Sequence, residues 1–326
     1  MSHGIMEHDK GFVYGTTWHN LAQYVTLTRP VTIEEAETVL DYDLQKVGLY
    51  RINASGDYEK TGCYGIVRTD KDIFLTDGSS VGNRFTVESN LTMLRRIDEF
   101  ILSQFPGLII ESVGTLFNGQ TAFVNLRVSE NQIKGDKSST ETNLMYCNPI
   151  GKGSYLAYAH STRVVCNNTL NLSKVQGEAN KSLRKFSHTI NAGNRIQEHL
   201  IDLSKVFLAL EEHNTKLNAL VDRSIKQSDI DNFLATVFSA EGKTDKGKTI
   251  ASNNQAKFLT IYEAQKDTMT METLYSAYGL LQAYTDFVDH ESRTTEKTDE
   301  ASVIWDSITG NRAAKKEKAF EYLLTI

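Results

Sequence analysis

The hydrophobic pattern of this chain changes period near residue 178, and this change constrains the fold more than any other feature. Before it, apolar residues alternate as in strands, and Asn118-Gly119 separates two such runs, 108–117 and 121–128, as a hairpin turn would. After it, apolar residues recur in steps of four and three, as along one face of a long helix. The sequence therefore predicts an α+β fold, in which an N-terminal antiparallel β-rich region with a helix precedes a C-terminal helical region built on one long helix.

The individual elements follow from the same periodicities. The long helix is predicted from the seam Ile196, Leu200, Leu203, Phe207, Leu210, Asn214, Leu217 and Val221. Shorter helices are predicted at 228–239, 254–265, 270–289 and 313–324, with 240–253 as a polar linker. In the N-terminal region we expect a helix capped by Thr32, strands at 44–53 and 58–68, a helix at 87–104, an exposed loop at 131–143, and strands at 155–160 and 162–172. Two domains are predicted, 1–178 and 179–326, with one continuous domain as the alternative.

The composition is typical of a globular protein in a reducing compartment. The 326 residues are 40% hydrophobic and 23% charged, and no stretch approaches the roughly 20 apolar residues of a membrane span. The polar N-terminus lacks the apolar core of a signal peptide. Cys63, Cys147 and Cys166 are an odd and widely spaced set, which is typical of reduced thiols. We therefore expect a cytoplasmic protein without membrane contact.

Positive charge is concentrated in one segment of an acidic chain. The net charge is −6, to which residues 1–150 and 201–326 contribute −6 and −5. Residues 151–200, which we name the basic island, contribute +5. A basic segment between acidic flanks is a candidate surface for an anionic ligand such as nucleic acid. The alternative is a solvated face that carries a few lysines.

Several residues of the basic island suit a nucleic-acid ligand. Cations are expected to contact phosphates, tyrosines to stack on bases, and an amide to meet a base edge. The candidates are Arg163, Lys174, Lys181, Arg184, Lys185, His188, Arg195, Tyr155, Tyr158 and Asn167. Arg184, Lys185 and His188 are expected at the N-terminus of the long helix, where free N–H groups favour a phosphate. A capping network at the helix start, and turn capping by Asn167, are the alternatives.

The sequence contains no pattern that favours a catalytic, metal or cofactor site. Cys166 lacks a neighbouring His or Asp motif that would activate it, so we interpret it as a small buried residue. His188, His199 and His213 are spaced too widely for two of them to bind one metal ion. Gly247-Lys-Thr249 lacks the preceding strand and the first glycine of a phosphate-binding loop. We expect neither an enzyme nor a bound metal or cofactor.

Several segments together resemble one protein family. They are Trp18-His19-Asn20-Leu21, the hairpin at 111–123, the segments at 163–170 and 184–189, and 283–290 with Arg293. From about residue 11 to 324 the chain resembles phage- and plasmid-like proteins grouped as a domain of unknown function, serial number 932. The segment 166–170 and the hairpin are its most specific parts. The resemblance implies a phage or plasmid setting rather than an activity.

Two hypotheses about function follow. In the first, a phage- or plasmid-type mobile-element protein binds single-stranded DNA and promotes annealing or recombination, by analogy with Rad52-type annealing proteins. Its self-association as a homo-oligomer would lengthen the binding groove. In the second, the chain is a non-enzymatic interaction protein that binds a host protein or forms an assembly. A third class, a metal-dependent hydrolase, would need clustered carboxylates, and the sequence shows only scattered ones.

Overall fold

The computed structural model of the chain describes residues 5–15, 23–76, 79–151, 154–163, 168–171, 183–192, 194–195, 203–240, 244–291 and 311–326. The predictions for Trp18-His19-Asn20-Leu21, Cys166, Asn167, Lys174, Lys181, Ile196, His199 and Leu200 lie outside these residues. The described residues form a mixed α+β fold, with strands in the N-terminal part and helices in the C-terminal part, as the sequence predicts.

Eleven strands lie in the described residues. They are β1 Gly11–Tyr14, β2 Tyr24–Leu27, β3 Leu44–Ile52, β4 Tyr58–Arg68, β5 Ile73–Phe74, β6 Ile109–Leu116, β7 Thr121–Gln132, β8 Ser139–Pro149, β9 Tyr155–Arg163, β10 Asn168–Asn171 and β11 Leu183–Phe186. One sheet has the order β10-β9-β8-β7-β6-β1-β2, with β11 also paired to β9, and β3-β4-β5 form a second sheet. The β6–β7 pair is antiparallel, whereas β1 and β2 are parallel.

The predicted hairpin at Asn118-Gly119 is confirmed. Asn118 and Gly119 have φ values of 59° and 92°, and the N–H of Gln120 donates to the Phe117 carbonyl at 3.2 Å. Phe117 before them also has a positive φ, 58°, and the loop between the paired residues Leu116 and Thr121 has four residues. Asn and Gly adopt positive φ more readily than other residues, which favours the turn at this place. The Asp9 carboxylate accepts hydrogen bonds from the N–H groups of Asn118 and Gly119 at 2.9 and 2.8 Å, which fixes the turn from outside the hairpin.

Eight α-helices lie in the described residues. They are α1 Ile33–Leu40, α2 Asn90–Ile97, α3 Leu203–Val221, α4 Gln227–Val237, α5 Asp245–Ala264, α6 Met271–Leu274, α7 Ala277–Asp286 and α8 Asn311–Leu323. π-helical segments, Asp98–Leu102 and Phe287–Glu291, continue α2 and α7. The predicted cap of α1 is confirmed, because the Thr32 hydroxyl accepts from the N–H of Glu35 at 3.2 Å and the Glu35 carboxylate accepts from the N–H of Thr32 at 2.9 Å.

The prediction of an exposed loop at 131–143 is wrong. Strands β7 and β8 enter this stretch, and Ile133 and Asp136 are buried. The Tyr278 hydroxyl donates to the Asp136 carboxylate at 2.8 Å, so a tertiary partner compensates the burial of this charge. Local polarity alone does not reveal such a partner.

Two further predictions of local structure are wrong. Residues 240–253 are not a linker throughout, because α5 begins at Asp245 and the Thr244 hydroxyl accepts from the N–H of Gly247 at 3.3 Å. Arg184 and Lys185 do not start a helix but lie in β11, which pairs antiparallel with β9. The pairing with a strand distant in the chain overrides the local preference, so the argument from a helix N-terminus no longer applies.

The described chain forms two compact units that interleave along the sequence. The first comprises the described residues of Met1–Val128, Asn143–Tyr158 and Lys181–Val206, and the second those of Ser129–Thr142, Ala159–Asn180 and Phe207–Ile326. The sequence predicts a single boundary near residue 178, because composition and period are read along the chain. Strands β7, β8 and β9 each contribute residues to both units.

Each unit has its own apolar core. In the first unit, one cluster consists of Ile66, Leu75, Val81 and Ile150. In the second, aromatic rings dominate, and Phe233 lies 5.9 Å from Phe258 and 5.6 Å from Tyr284 between ring centroids. Leu217 and Val221 of the predicted seam are buried in this core, which confirms the apolar face of α3 where it is described.

Candidate functional site

Three chain segments of the first unit meet beside residues of the basic island. They are 82–90, 154–155 and 187–194. Pairing of β11 with β9 places Phe186 opposite Tyr155, and the N–H of Thr86 donates to the His188 carbonyl at 3.0 Å. These backbone contacts hold the three segments together. We name the surface that they enclose the cleft.

The cleft contains two adjoining cavities. The wider one is an open depression of about 530 Å³, and its lining includes Asn83, Arg84, Phe85, Ser187, His188 and Thr189. The narrower one measures about 150 Å³, and its lining includes Glu88, Arg96, Tyr155, Thr189, Ala192 and Asn194. Thr189 lines both cavities, so a ligand in one lies next to the other.

His188 is a neutral aromatic element of the cleft. Its imidazole stacks on Phe85 with ring centroids 4.6 Å apart and packs on Tyr155 at 4.0 Å. His188 is 4% exposed, and its ring nitrogens have no polar side-chain partner. Burial lowers the pKa of His188 to about 4, against a smaller opposing effect of the Pro149 carbonyl. His188 therefore adds no positive charge near pH 7, contrary to the predicted phosphate contact by a cationic histidine.

Polar residues line the narrow cavity, among them Glu88, Arg96, Tyr155 and Thr189. One Glu88 oxygen forms an ion pair with Arg96, and the Tyr155 hydroxyl interacts with the Glu88 side chain. Burial first, and then the negative charge of Glu88, raise the pKa of Tyr155, so its hydroxyl keeps its proton. These polar groups therefore form a buried network beneath the cleft.

Tyr155 does not provide the predicted stacking surface for a base. It is 3% exposed, and the His188 imidazole lies against it. A buried ring has no free face for stacking. Phe85 is half-buried and lines the open depression, but one of its faces is stacked on His188.

The cleft lies inside a region that matches one protein family. Residues 78–309 match the family described as Domain of unknown function (DUF932), and this range covers more than half of the chain. The chain belongs to this family. No curated protein and no solved structure gives a significant match. All the lining residues named above lie inside the DUF932 region.

The structure of this DUF932 protein describes the side chains of four predicted binding residues, all in the first unit. Lys185 and Arg195 are exposed, whereas Tyr155 and His188 are buried. For Tyr158, Arg163 and Arg184 the described part includes only the backbone, in β9 and β11. Lys174, Lys181 and Asn167 lie outside the described residues. Lys185 and Arg195 are therefore exposed cations that flank the lining segment 187–194 in the chain.

Sequence reasoning missed several residues of the cleft. They are Arg84, Phe85, Glu88, Arg96 and Thr189. Glu88 precedes Ser89, the N-cap of α2, and Arg96 lies in the last turn of that helix. The two are too far apart for the (i, i+4) spacing that identifies a helical ion pair, so no local signal indicates their contact.

The described residues show no arrangement for metal binding or thiol chemistry. Among them, no group of three His, Cys, Asp or Glu side chains could hold a metal ion. Burial raises the pKa of the Cys147 thiol to about 12, which keeps this thiol protonated and unreactive. None of the helices in the described part is long and apolar enough to cross a membrane.

Proposed function

We propose that this DUF932 protein binds single-stranded DNA in the cleft, as a non-enzymatic phage- or plasmid-type protein of the cytoplasm. The proposal is supported by the open depression and by the exposed cation Arg84 that lines it. Arg84 lines the depression, and Lys185 and Arg195 are exposed beside its lining segments in the chain. The Glu88 carboxylate of the cleft is paired with Arg96, so it does not cancel this positive charge.

The proposed binding combines phosphate contacts with stacking. Lys185, Arg195 and Arg84 contact phosphates, which releases counterions and makes binding dependent on salt. A base would have to stack on the part of the Phe85 ring that His188 does not cover, since stacking needs an accessible aromatic face. Neither contact reads a base sequence, so the proposal predicts binding of many sequences with similar affinity.

A gel-shift titration with single-stranded oligonucleotides tests this proposal. Binding at micromolar concentration that weakens steeply as salt increases is the expected result. Absence of binding at low salt contradicts it. Strand annealing, the proposed Rad52-like role, is tested with complementary labelled strands, whose pairing the protein is expected to accelerate. Light scattering with and without oligonucleotide tests the proposed homo-oligomer.

A protein-interaction role is the second candidate, and the β3–β4 hairpin favours it. Ile52 lies opposite Tyr58 in the register, and Tyr50 shares their face because side chains alternate along a strand. Tyr50, Ile52 and Tyr58 are 54%, 66% and 79% exposed. Large apolar side chains grouped on an exposed face mark an interaction surface. A stoichiometric protein partner from host lysate, retained after nuclease treatment and lost in a Tyr50→Ser/Tyr58→Ser variant, would support this role.

A further inference from the structure

We infer that the outer edge of strand β3 pairs with the same strand of a second copy of this chain across a two-fold axis. The inference rests on the proposed function in one respect, since it gives the proposed homo-oligomer its contact surface. Strand β3 has nine residues without a proline and lies at the edge of the β3-β4-β5 sheet. Within the described part of the chain, no strand pairs with its outer edge. A long uncovered edge strand is a template for pairing with another chain.

The backbone of β3 directs hydrogen-bonding groups toward this edge. At the end of the hairpin, the N–H of Asn53 donates to the Asp57 carbonyl at 2.9 Å. Because hydrogen-bonded and non-hydrogen-bonded pairs alternate along antiparallel strands, the next pair, Ile52–Tyr58, is of the non-hydrogen-bonded kind. The N–H and carbonyl groups of Ile52, and of Tyr50 two residues earlier, therefore point away from β4. A second strand at this edge would satisfy them.

The register of the pairing follows from charge. A two-fold axis at Tyr50 places the two Tyr50 residues opposite each other, so that they exchange N–H and carbonyl hydrogen bonds. Ile52 then lies opposite Gly48 of the second copy, and Arg51 lies opposite Leu49. An axis at Arg51 would instead oppose two arginines, and like charges directly opposite each other are destabilising. We therefore place the axis at Tyr50.

The two faces of the hairpin also suit pairing with an identical hairpin. Tyr50, Ile52 and Tyr58 are 54%, 66% and 79% exposed on one face, so apolar side chains of the two copies meet there. On the other face, Arg51 Nη2 lies 2.9 Å from Glu59 Oε2, so each copy balances this charge by itself. The contact involves few side chains, and we expect a weak dimer that depends on concentration.

Light scattering of the full chain at a series of concentrations, without oligonucleotide, tests the inference. A monomer–dimer equilibrium is expected. Tyr50→Lys is expected to weaken dimerisation by about tenfold or more, because two lysines oppose each other and the aromatic contact is lost. Tyr275→Lys makes the same change at a 49% exposed tyrosine of the second unit and is expected to leave the equilibrium unchanged.

Opposite charges on the two copies test the position of the axis. Tyr50→Glu is expected to weaken dimerisation as Tyr50→Lys does. An equimolar mixture of these two variants is expected to dimerise again, because a lysine then lies opposite a glutamate. Mixing cannot restore a variant that does not fold, so the mixture also controls for folding.

Three results would overturn the inference. They are an unaltered chain that stays monomeric up to high micromolar concentration, the same dimerisation in Tyr50→Lys as in the unaltered chain, and a mixture of the two charge variants that stays monomeric. A host protein that binds this hairpin while the purified chain is monomeric would assign the surface to the protein-interaction role instead.

The test separates this inference from the proposed binding of DNA. If oligonucleotides bind with the expected salt dependence but the chain is monomeric, only the pairing of β3 is wrong. If the chain dimerises in a Tyr50-dependent manner but no oligonucleotide binds, the dimer stands and the single-stranded DNA proposal fails.

Discussion

The cleft of the first unit and the helical core of the second unit bury polar groups in different surroundings. In the second unit, the Tyr278 hydroxyl donates to the Asp136 carboxylate at 2.8 Å, and Lys316 Nζ lies 2.8 Å from Asp289 Oδ1. The second unit also buries His213, whose ring nitrogens have no hydrogen bond. In the cleft, the buried Tyr155 and His188 rings lie beside an open depression. The open depression, rather than the pairing of buried groups, therefore identifies the cleft as the place where binding is expected.

The largest effect is expected at Lys316, whose side chain is 1% exposed beside Asp289. Lys316→Met leaves the Asp289 carboxylate without this cation and should lower the free energy of unfolding by about 3–5 kcal/mol. Urea unfolding followed by circular dichroism measures the change. A loss below 1 kcal/mol would show that pairing in the helical core contributes little to its stability.

A double variant distinguishes loss of the Lys316–Asp289 ion pair from loss of side-chain packing at Lys316. Lys316→Met with Asp289→Leu replaces both charges of this ion pair by apolar groups and should be less destabilising than Lys316→Met alone, because the two charges are removed together. If the double variant is as unstable as Lys316→Met alone, packing rather than charge dominates at this position.

The buried histidines are expected to make the protein sensitive to acid. Burial lowers the pKa of His188 to about 4, below the ordinary 6.5 of the unfolded chain. Between these values the unfolded chain binds a proton that the folded chain does not, so the free energy of unfolding falls as pH decreases. We expect a loss of about 2–3 kcal/mol between pH 6.5 and 4, and no contribution from His188 above pH 6.5. His188→Leu should remove this part of the slope in urea unfolding at several pH values.

His213 provides the matched test in the second unit. It is 3% exposed, neither of its nitrogens has a partner, and burial, with a smaller effect of Lys216, lowers its pKa to about 3. His213→Leu should remove a slope of similar size that extends to lower pH. If His188→Leu leaves the pH dependence unchanged while His213→Leu abolishes it, His188 is not a buried neutral group.

The same substitution, Tyr→Phe, can be made at one buried tyrosine in each unit, which allows a direct comparison of the two units. Tyr278→Phe removes a hydroxyl that donates to a buried carboxylate and should cost about 2 kcal/mol in unfolding free energy. Tyr155→Phe removes a buried hydroxyl that interacts with Glu88 without a well-aligned hydrogen bond and should cost about 1 kcal/mol or less. Equal costs in both variants would contradict this contrast between the two tyrosines.

Local signals in the sequence were sufficient for the α+β class and for several elements. The Asn118-Gly119 turn and the Thr32 cap are set by neighbours in the chain, so their residue types predict them. The seam predicted the apolar face of α3 because Leu217 and Val221 repeat at helical spacing.

Tertiary pairing decided the rest. The sequence predicts a helix start at Arg184 and Lys185 because polar residues that can cap a helix follow them. In the structure these residues lie in β11, whose backbone pairs with β9. The cleft depends on this pairing and on the contact between Glu88 and Arg96, for which the sequence has no periodic or motif signal. Likewise, the sequence predicts no contact for Asp289, whereas the structure places the Lys316 side chain beside it.

Binding of single-stranded DNA by the cleft is tested most directly by the salt dependence of oligonucleotide affinity in a charge variant. Lys185→Ala/Arg195→Ala removes two exposed cations, and the slope of log affinity against log salt should become shallower by about 1.4, with weaker binding at every salt concentration. Lys246→Ala/Lys266→Ala removes the same charge from exposed positions of the second unit and should leave the slope unchanged. Fluorescence polarisation of a labelled oligonucleotide measures both. An unchanged slope in the first variant, or an equal change in the two, would contradict DNA binding in the cleft.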